Sequence, residues 1–298
     1  MRVPKAYSLA VRQPDGTIKS QAWAFESLLE RHPSLKIPLL RGLISLYEAL
    51  RIGIKTLNLS VLWAYPEEAQ DRPEWKDKLQ SFMGTLLALL LGLGLFFFAP
   101  LWLTNHFFEL QKSALGFNLA AGLFRITFFL IYLALLSLLP DAKRLFRYHG
   151  AEHKSIYAFE AGRPLTVAEA SRFSRRHPRC GTSFLFLVLL VSILLFSILD
   201  GVRMLLYPGN ELWIRLITHL AFLPIVAGVG YESLKFSARK RDWNWVRVLT
   251  APGLWLQGLT TAEPDNSQVE VALTALKTAF GDRLEEYVGQ EYVAEAIA

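Results

Sequence analysis

The chain has 298 residues, 52% of them apolar by a broad count and 19% charged, with a formal net charge of +6 and positive mean hydropathy. Uncharged runs this long exclude an ordinary soluble protein, and the single cysteine excludes an intramolecular disulfide and fits a reducing compartment. The positive balance points to anionic lipid as a partner and not to nucleic acid, since no helix-turn-helix, RNP-like or zinc-finger spacing accompanies it.

Residues 1–20 read as an extended segment or hairpin: Tyr7, Leu9 and Val11 alternate, and Pro14-Asp15-Gly16 is a turn signal. No short apolar core with a small-residue cleavage site is seen here, so no signal peptide is expected. Residues 38–64 are helical in pattern, with Leu39, Leu43, Leu46, Leu50 and Leu57 near the helical period. Arg41, Glu48, Arg51 and Lys55 interrupt them. Four charges disfavour a clean span. An amphipathic helix on the inner leaflet is expected, with a re-entrant helix packed on the bundle as the alternative. Residues 65–80 are charged and expected to loop out.

Four windows have the length and apolarity of a transmembrane helix: 81–103, 117–139, 183–207 and 212–231. The connections inside each pair are short, so the spans read as two helical hairpins. Lys and Arg number 12 in residues 1–80, nine in 140–182 and seven in 232–298. The connection 104–116 has only Lys112, and 208–211 has none. The positive-inside rule then places both termini and the central loop in the cytoplasm of a multi-pass cell-membrane protein. The expected organisation is a cytoplasmic segment 1–80, a hairpin 81–139, a loop 140–182, a hairpin 183–231 and a tail 232–298. The fold class is all-α apart from the extended N-terminal segment.

The loop carries most of the chemistry. It holds three of the six histidines and the cysteine. Asp141 after Pro140 starts a helix expected to reach Glu160 and stop at Gly162, and Thr166–Glu169 form a capping box for a second helix to about Arg176. His149, Glu152 and His153 stand at i, i+3 and i+4, one helical face, in the H-x-x-E-H order of the inverted zincins. Two imidazoles and a carboxylate there suit a divalent metal, zinc being the natural fit, with Glu152 as general base. His177 and Cys180 are the expected further ligands, and Glu160, seven residues past His153, is another. Cys180 also reads as a nucleophile whose thiolate Arg175, Arg176 and Arg179 would favour, or as a small packing residue.

Elsewhere, Arg125 falls about eight residues into the second span, where a guanidinium needs to face the bundle interior near a partner such as Asp200, Glu232 or a polar backbone. Arg215 and His219, near one end of the last span, read as interfacial anchors. Trp243 and Trp245 suit the headgroup layer, and residues 268–280 form a short helix after Glu263-Pro264-Asp265.

At RYHGAEHKSI (147–156), HPRCGTSFL (177–185), GVGYESLK (228–235) and LQGLTTAEPDNSQVEVAL (256–273), the sequence resembles the YqhQ-like membrane family. The resemblance covers nearly the whole chain. It implies a polytopic bacterial membrane protein of a family often labelled a metal-dependent enzyme. It also implies importance for His149, Glu152, His153, His177, Arg179 and Cys180, and for Glu232, Gln257, Thr260, Thr261 and Glu270. Two departures stand out. The Gly-Gly-Gln-Ala-Val-Ile-Glu-Gly-Val-Met-like opening of the family would precede Met1, and Ala262 replaces the Arg of its Thr-Thr-Arg-Glu-Pro run. Two readings follow. One is a membrane metallohydrolase acting on a lipid or peptide at the cytoplasmic interface. The other is a non-enzymatic transporter, channel-like bundle or scaffold, able to oligomerise, whose His/Cys cluster is structural.

Overall fold

The computed structural model describes residues 1–65, 74–110, 112–177, 180–207, 211–240 and 243–290. The N-terminal segment is the expected hairpin with one added strand. β1 (Arg2–Val3), β2 (Ala6–Arg12) and β3 (Ile18–Ala24) form an antiparallel sheet in that order, with Ala6 opposite Ala24 and Arg12 opposite Ile18. Asp15 fixes the turn by accepting from the Thr17 backbone N–H and hydroxyl at 2.9 and 2.7 Å.

A short helix, α1 (Leu28–Arg31), is closed by the Ser27/Glu30 capping box and leads to α2 (Leu40–Ala64). Glu48 of α2 is buried and accepts from the Leu28 N–H at 2.6 Å, the Ser27 hydroxyl and Arg2. Tyr47, Leu50, Ile54, Leu57 and Val61 form an exposed apolar stripe at i+3/i+4 spacing on the same helix. That is the amphipathic pattern the sequence carries.

Among the described residues, four helices are long and apolar enough to cross a membrane: Phe82–Phe107, Ala114–Leu136, Phe184–Leu206 and Leu212–Ser237. The first is built from α3 (Glu74–Leu93), a π-helical stretch Gly94–Phe98 and α4 (Ala99–Phe107). The span starts within one residue of its expected position, but its helix extends back through Glu74–Gln80, where a loop was expected; residues 66–73 lie outside the described residues. α5 (Ala114–Leu136) starts at a Ser113 cap. α8 (Gly181–Leu206) and α9 (Leu212–Arg239) form the second pair, α9 running eight residues past its expected end. α8 packs against α5, α9 and a further helix, α10 (Asn244–Thr260). The sequence reading missed α10, which contains Pro252 and Gly253. Burial of Val246, Leu256 and Gln257 holds it as a helix.

Between the spans, α6 (Pro140–Glu160) matches expectation and ends in a Schellman motif. Gly162, at φ +62°, donates to the Phe159 carbonyl and Arg163 donates to the Ala158 carbonyl. The second loop helix is only one turn, α7 (Val167–Ala170). Its cap is Thr166 as expected, but Ser171–Arg176 turn away to cross α6. α11 (Asn266–Phe280) begins at the Asp265/Gln268 capping box, and the four-residue α12 (Leu284–Tyr287) follows it. α11 packs against α6 and the sheet, burying Val3, Phe159, Leu276 and Phe280 together. α6 is therefore held on one side by α11, leaving its His face toward Cys180 at the start of α8.

Arg125 faces the bundle interior, as expected, and of its anticipated partners it is the polar backbone, not Asp200 or Glu232, that it is hydrogen-bonded to. Its Nε donates to the Phe96 carbonyl at 3.2 Å, and Nη2 stands 3.5 Å from His219 Nδ1. Glu232 pairs instead with Arg41 of α2, accepting from its Nε at 2.6 Å. Arg215 and His219 are not interfacial anchors: they are 1% and 0% exposed and gather around Asp200. Their helix starts at Leu212, so one turn already brings them inside the bundle. Glu270 forms an exposed pair with Arg12 at 2.6 Å. Trp243 is exposed, and the side chain of Trp245 lies outside the described residues.

Candidate metal centre

Helical spacing stacks His149 over His153 on one face of α6, their ring centroids 4.4 Å apart. Each ring is oriented by a main-chain carbonyl. His149 Nδ1–H donates to the Thr260 oxygen at 2.9 Å, and His153 Nδ1–H donates to the Arg175 oxygen at 2.6 Å. A carbonyl only accepts, so each ring carries a proton on Nδ1 and turns its Nε2 to the same side. Cys180, the N-cap of α8, lies there: its Sγ is 3.2 Å from His149 Nε2. One donor atom from each of His149, His153 and Cys180 falls within 4.8 Å of the other two.

Electrostatics prepares the sulfur to bind a cation. Burial pushes the Cys180 thiol up, but hydrogen bonds from His149 and His153 outweigh it and bring the thiol down to about 5. Burial likewise lowers His149, and the Cys180 sulfur, with the Glu152 charge behind it, outweighs that and raises the imidazole to about 9. Without a metal, the pair is an imidazolium beside a thiolate. The amino end of the long helix α8 adds favourable partial positive charge at the sulfur.

A second layer holds these groups. The segment Thr260–Ala262 lies across α6, with the Ala262 N–H donating to the Phe146 carbonyl at 2.9 Å. Gly150 permits this, since a Cβ there would sit 2.3 Å from the Ala262 oxygen. Arg175, whose carbonyl accepts from His153, also donates through its side chain to the Thr261 carbonyl, next to the Thr260 carbonyl that accepts from His149. Gln257, completely buried in α10, accepts from the His177 N–H at 2.7 Å and donates to the His177 carbonyl at 2.8 Å. Lys154 is buried beside the histidines, donating to the Ser171 carbonyl and pairing with Glu263 at 2.7 Å.

The expected residues thus divide. His149, His153 and Cys180 converge, while Gln257, Thr260 and Thr261 surround them through main-chain and amide contacts. His177 was an expected ligand but lies outside that trio: its Nε2 stands 3.5 Å from Glu160, another expected ligand, and its ring packs 4.6 Å from Tyr157. Glu152 is half-buried one turn from His149 and is not among the clustered donors. Arg179 lies outside the described residues. Gly150 and the Arg175 carbonyl were missed by sequence reading. A glycine in mid-helix was the available signal for the first; a main-chain acceptor leaves none.

The donor set fits a zinc-like ion. Two neutral imidazoles anchored at Nδ1 and one thiolate make three of four tetrahedral positions. Zn–N and Zn–S bonds of ~2.0 and ~2.3 Å require the N and S atoms to stand ~3.6 Å apart, a few tenths more than the 3.2 Å between His149 and Cys180.

Residues 37–282 match the model of the family described as "Protein of unknown function (DUF1385)", and the chain belongs to that family. It is 36% identical to the "Uncharacterized protein YqhQ" of Bacillus subtilis (strain 168), over 90% of this chain and 84% of the relative. No solved structure matches the chain.

Proposed function

We propose that this membrane protein is a metal-dependent enzyme, a hydrolase working where the bundle meets the cytoplasm, on a lipid or peptide. The observation that carries the reading is the pair of main-chain carbonyls that fix both histidines on Nδ1, aiming two Nε2 atoms at one acidified thiol. His149, His153 and Cys180 would hold a divalent ion, leaving a fourth position. Bound there, the ion supplies Lewis-acid polarisation of a substrate oxygen and acidifies water. Glu152 is the proton acceptor: it is one helical turn from His149 and is unattached to the donor trio. Lys154, Gln257 and Arg175 keep the frame rigid, and burial around Cys180 limits water. The cytoplasmic placement rests on the nine Lys and Arg residues of 140–182.

The deep burial of two donors, His153 at 4% and Cys180 at 5% exposed, favours a second reading, a closed structural site in a non-enzymatic transporter or scaffold. Glu152→Gln separates the two. The amide keeps the shape but cannot take a proton, so the hydrolase reading expects normal metal content and melting temperature with failure to complement a deletion strain. Full complementation by a stable, metal-loaded Glu152→Gln protein would leave only the structural reading.

A further inference from the structure

A second polar cluster lies far from the His/Cys centre. Asp200 is 20 residues along α8 from Cys180, ~30 Å at the helical rise. Around it stand Asn118 and Arg125 of α5, Arg203 of α8, and Arg215 and His219 of α9. None is more than 8% exposed. All belong to membrane-spanning helices, where each buried charge is costly. Three guanidiniums face one carboxylate among the described residues, an excess of two positive charges with His219 neutral.

The carboxylate is shared among several of these groups. Asn118 donates to Asp200 Oδ2 at 2.8 Å, but His219, Arg203 and Arg215 stand at 3.4, 3.6 and 3.7 Å. Asp200 Oδ1 has no hydrogen-bond partner among the described residues. Arg125 is 2% exposed, and its Nη1 likewise has no partner there. Its orientation is set independently by the first span. The π-helical stretch Gly94–Phe98 includes the Phe96 carbonyl that accepts from Arg125 Nε. Such stretches recur at functional sites because they disturb the regular helical ladder. Phe196 and Phe117 close the cluster, one stacked on His219 and the other under Arg215.

We propose that this end of the bundle binds a phosphate group, with Arg125 as its principal donor. A guanidinium fork presents two parallel N–H groups to adjacent oxygens, and a phosphate's negative charge, one on a diester headgroup and up to two on the free ion, offsets the excess of positive charge. Asp200 competes with the ligand for the same cations and keeps the ligand-free bundle tolerable. The phosphate is either a free ion or the headgroup of an anionic lipid. The inference is independent of the metal centre.

The test uses the full chain in detergent at constant ionic strength. Inorganic phosphate is titrated calorimetrically, and phosphatidylglycerol against phosphatidylcholine by native mass spectrometry. Saturable phosphate binding identifies a free ion. Phosphatidylglycerol binding without phosphate binding identifies a lipid headgroup. Binding of neither overturns the proposal. Arg125→Gln should weaken the bound species at least tenfold, and a change under twofold overturns it. Asp200→Asn removes the competing charge and should tighten binding severalfold; unchanged or weaker binding overturns the proposal, even if Arg125→Gln fails to fold. Wild-type crystals grown in selenate provide an arm that needs no variant. An anomalous peak within hydrogen-bond reach of Arg125 Nη1 is expected, and its absence there overturns a free-ion site.

Discussion

Replacing Gly150 with alanine tests the second layer of the metal centre through one methyl group. The added Cβ would stand 2.3 Å from the Ala262 carbonyl oxygen, a backbone atom that cannot swing aside. An ordinary carbon–oxygen contact is ~3.3 Å, so the Thr260–Ala262 segment must retreat by ~1 Å. If it moves as a unit, the 2.9 Å bond from His149 Nδ1 to Thr260 opens to ~3.9 Å, and the Ala262–Phe146 bond opens with it. Overpacking costs about 1–3 kcal/mol and each lost bond about 1 kcal/mol, while alanine returns about 1 kcal/mol in helix propensity. The net expectation is a loss of about 2–4 kcal/mol. Losing the group that orients a metal-binding histidine weakens metal affinity by about 10–100-fold. Thermal unfolding of the purified chain and competition with a chromophoric zinc chelator read both effects. A Gly150→Ala protein that melts and binds zinc like wild type would refute the idea that this segment orients His149.

Three further outcomes follow from the same geometry. In the metal-free protein, the His149 contribution to stability is complete below its ordinary 6.5 and lost as pH rises through about 9. The Cys180 contribution is complete above its ordinary 9.0 and lost as pH falls through about 5. From 6.5 to 9 the two slopes cancel, since folded and unfolded pairs each hold one proton. From 6.5 to 5 only the unfolded pair gains one, so urea unfolding should show a loss of about 2 kcal/mol there; a flat acid limb would contradict an imidazolium–thiolate pair. Glu48→Ala should cost about 2–4 kcal/mol by stranding the Leu28 N–H, the Ser27 hydroxyl and Arg2, and a melt within a degree of wild type would show that those groups find other partners. On a Cys180→Ala background, an impermeant maleimide applied outside should label cysteine at Lys112 and not at Ala168; the reverse pattern would invert the proposed orientation.

Most of the architecture was legible because its signals are local. Apolar runs marked the spans, Asp15-Gly16 marked the hairpin turn, and Gly162 marked the end of α6. The i, i+4 spacing of His149 and His153 was enough to place both on one face. What failed depended on distant packing. α10 carries Pro252 and Gly253 and becomes a helix against α8. Arg215 and His219 looked like end-of-span anchors, yet Asp200, on another helix, draws them inside. The different placing of His177 and Cys180, which read alike as ligands, was also not legible: Cys180 joins the two histidines and His177 stands outside that trio. Gln257 fixes its backbone, and Glu160 lies beside its ring. The groups that orient both candidate ligands are main-chain carbonyls, which any residue supplies, so no side-chain pattern could reveal them.

The central claim is that His149, His153 and Cys180 form a metal centre, and metal content tests it most directly. The full chain, purified in detergent without chelator and supplied with zinc, should carry about one zinc-like ion per chain by plasma mass spectrometry. His153→Ala and Cys180→Ala should each lose that ion, while His177→Ala should retain it. A folded wild-type chain that takes up no stoichiometric metal, or a Cys180→Ala chain that keeps it, would contradict the account.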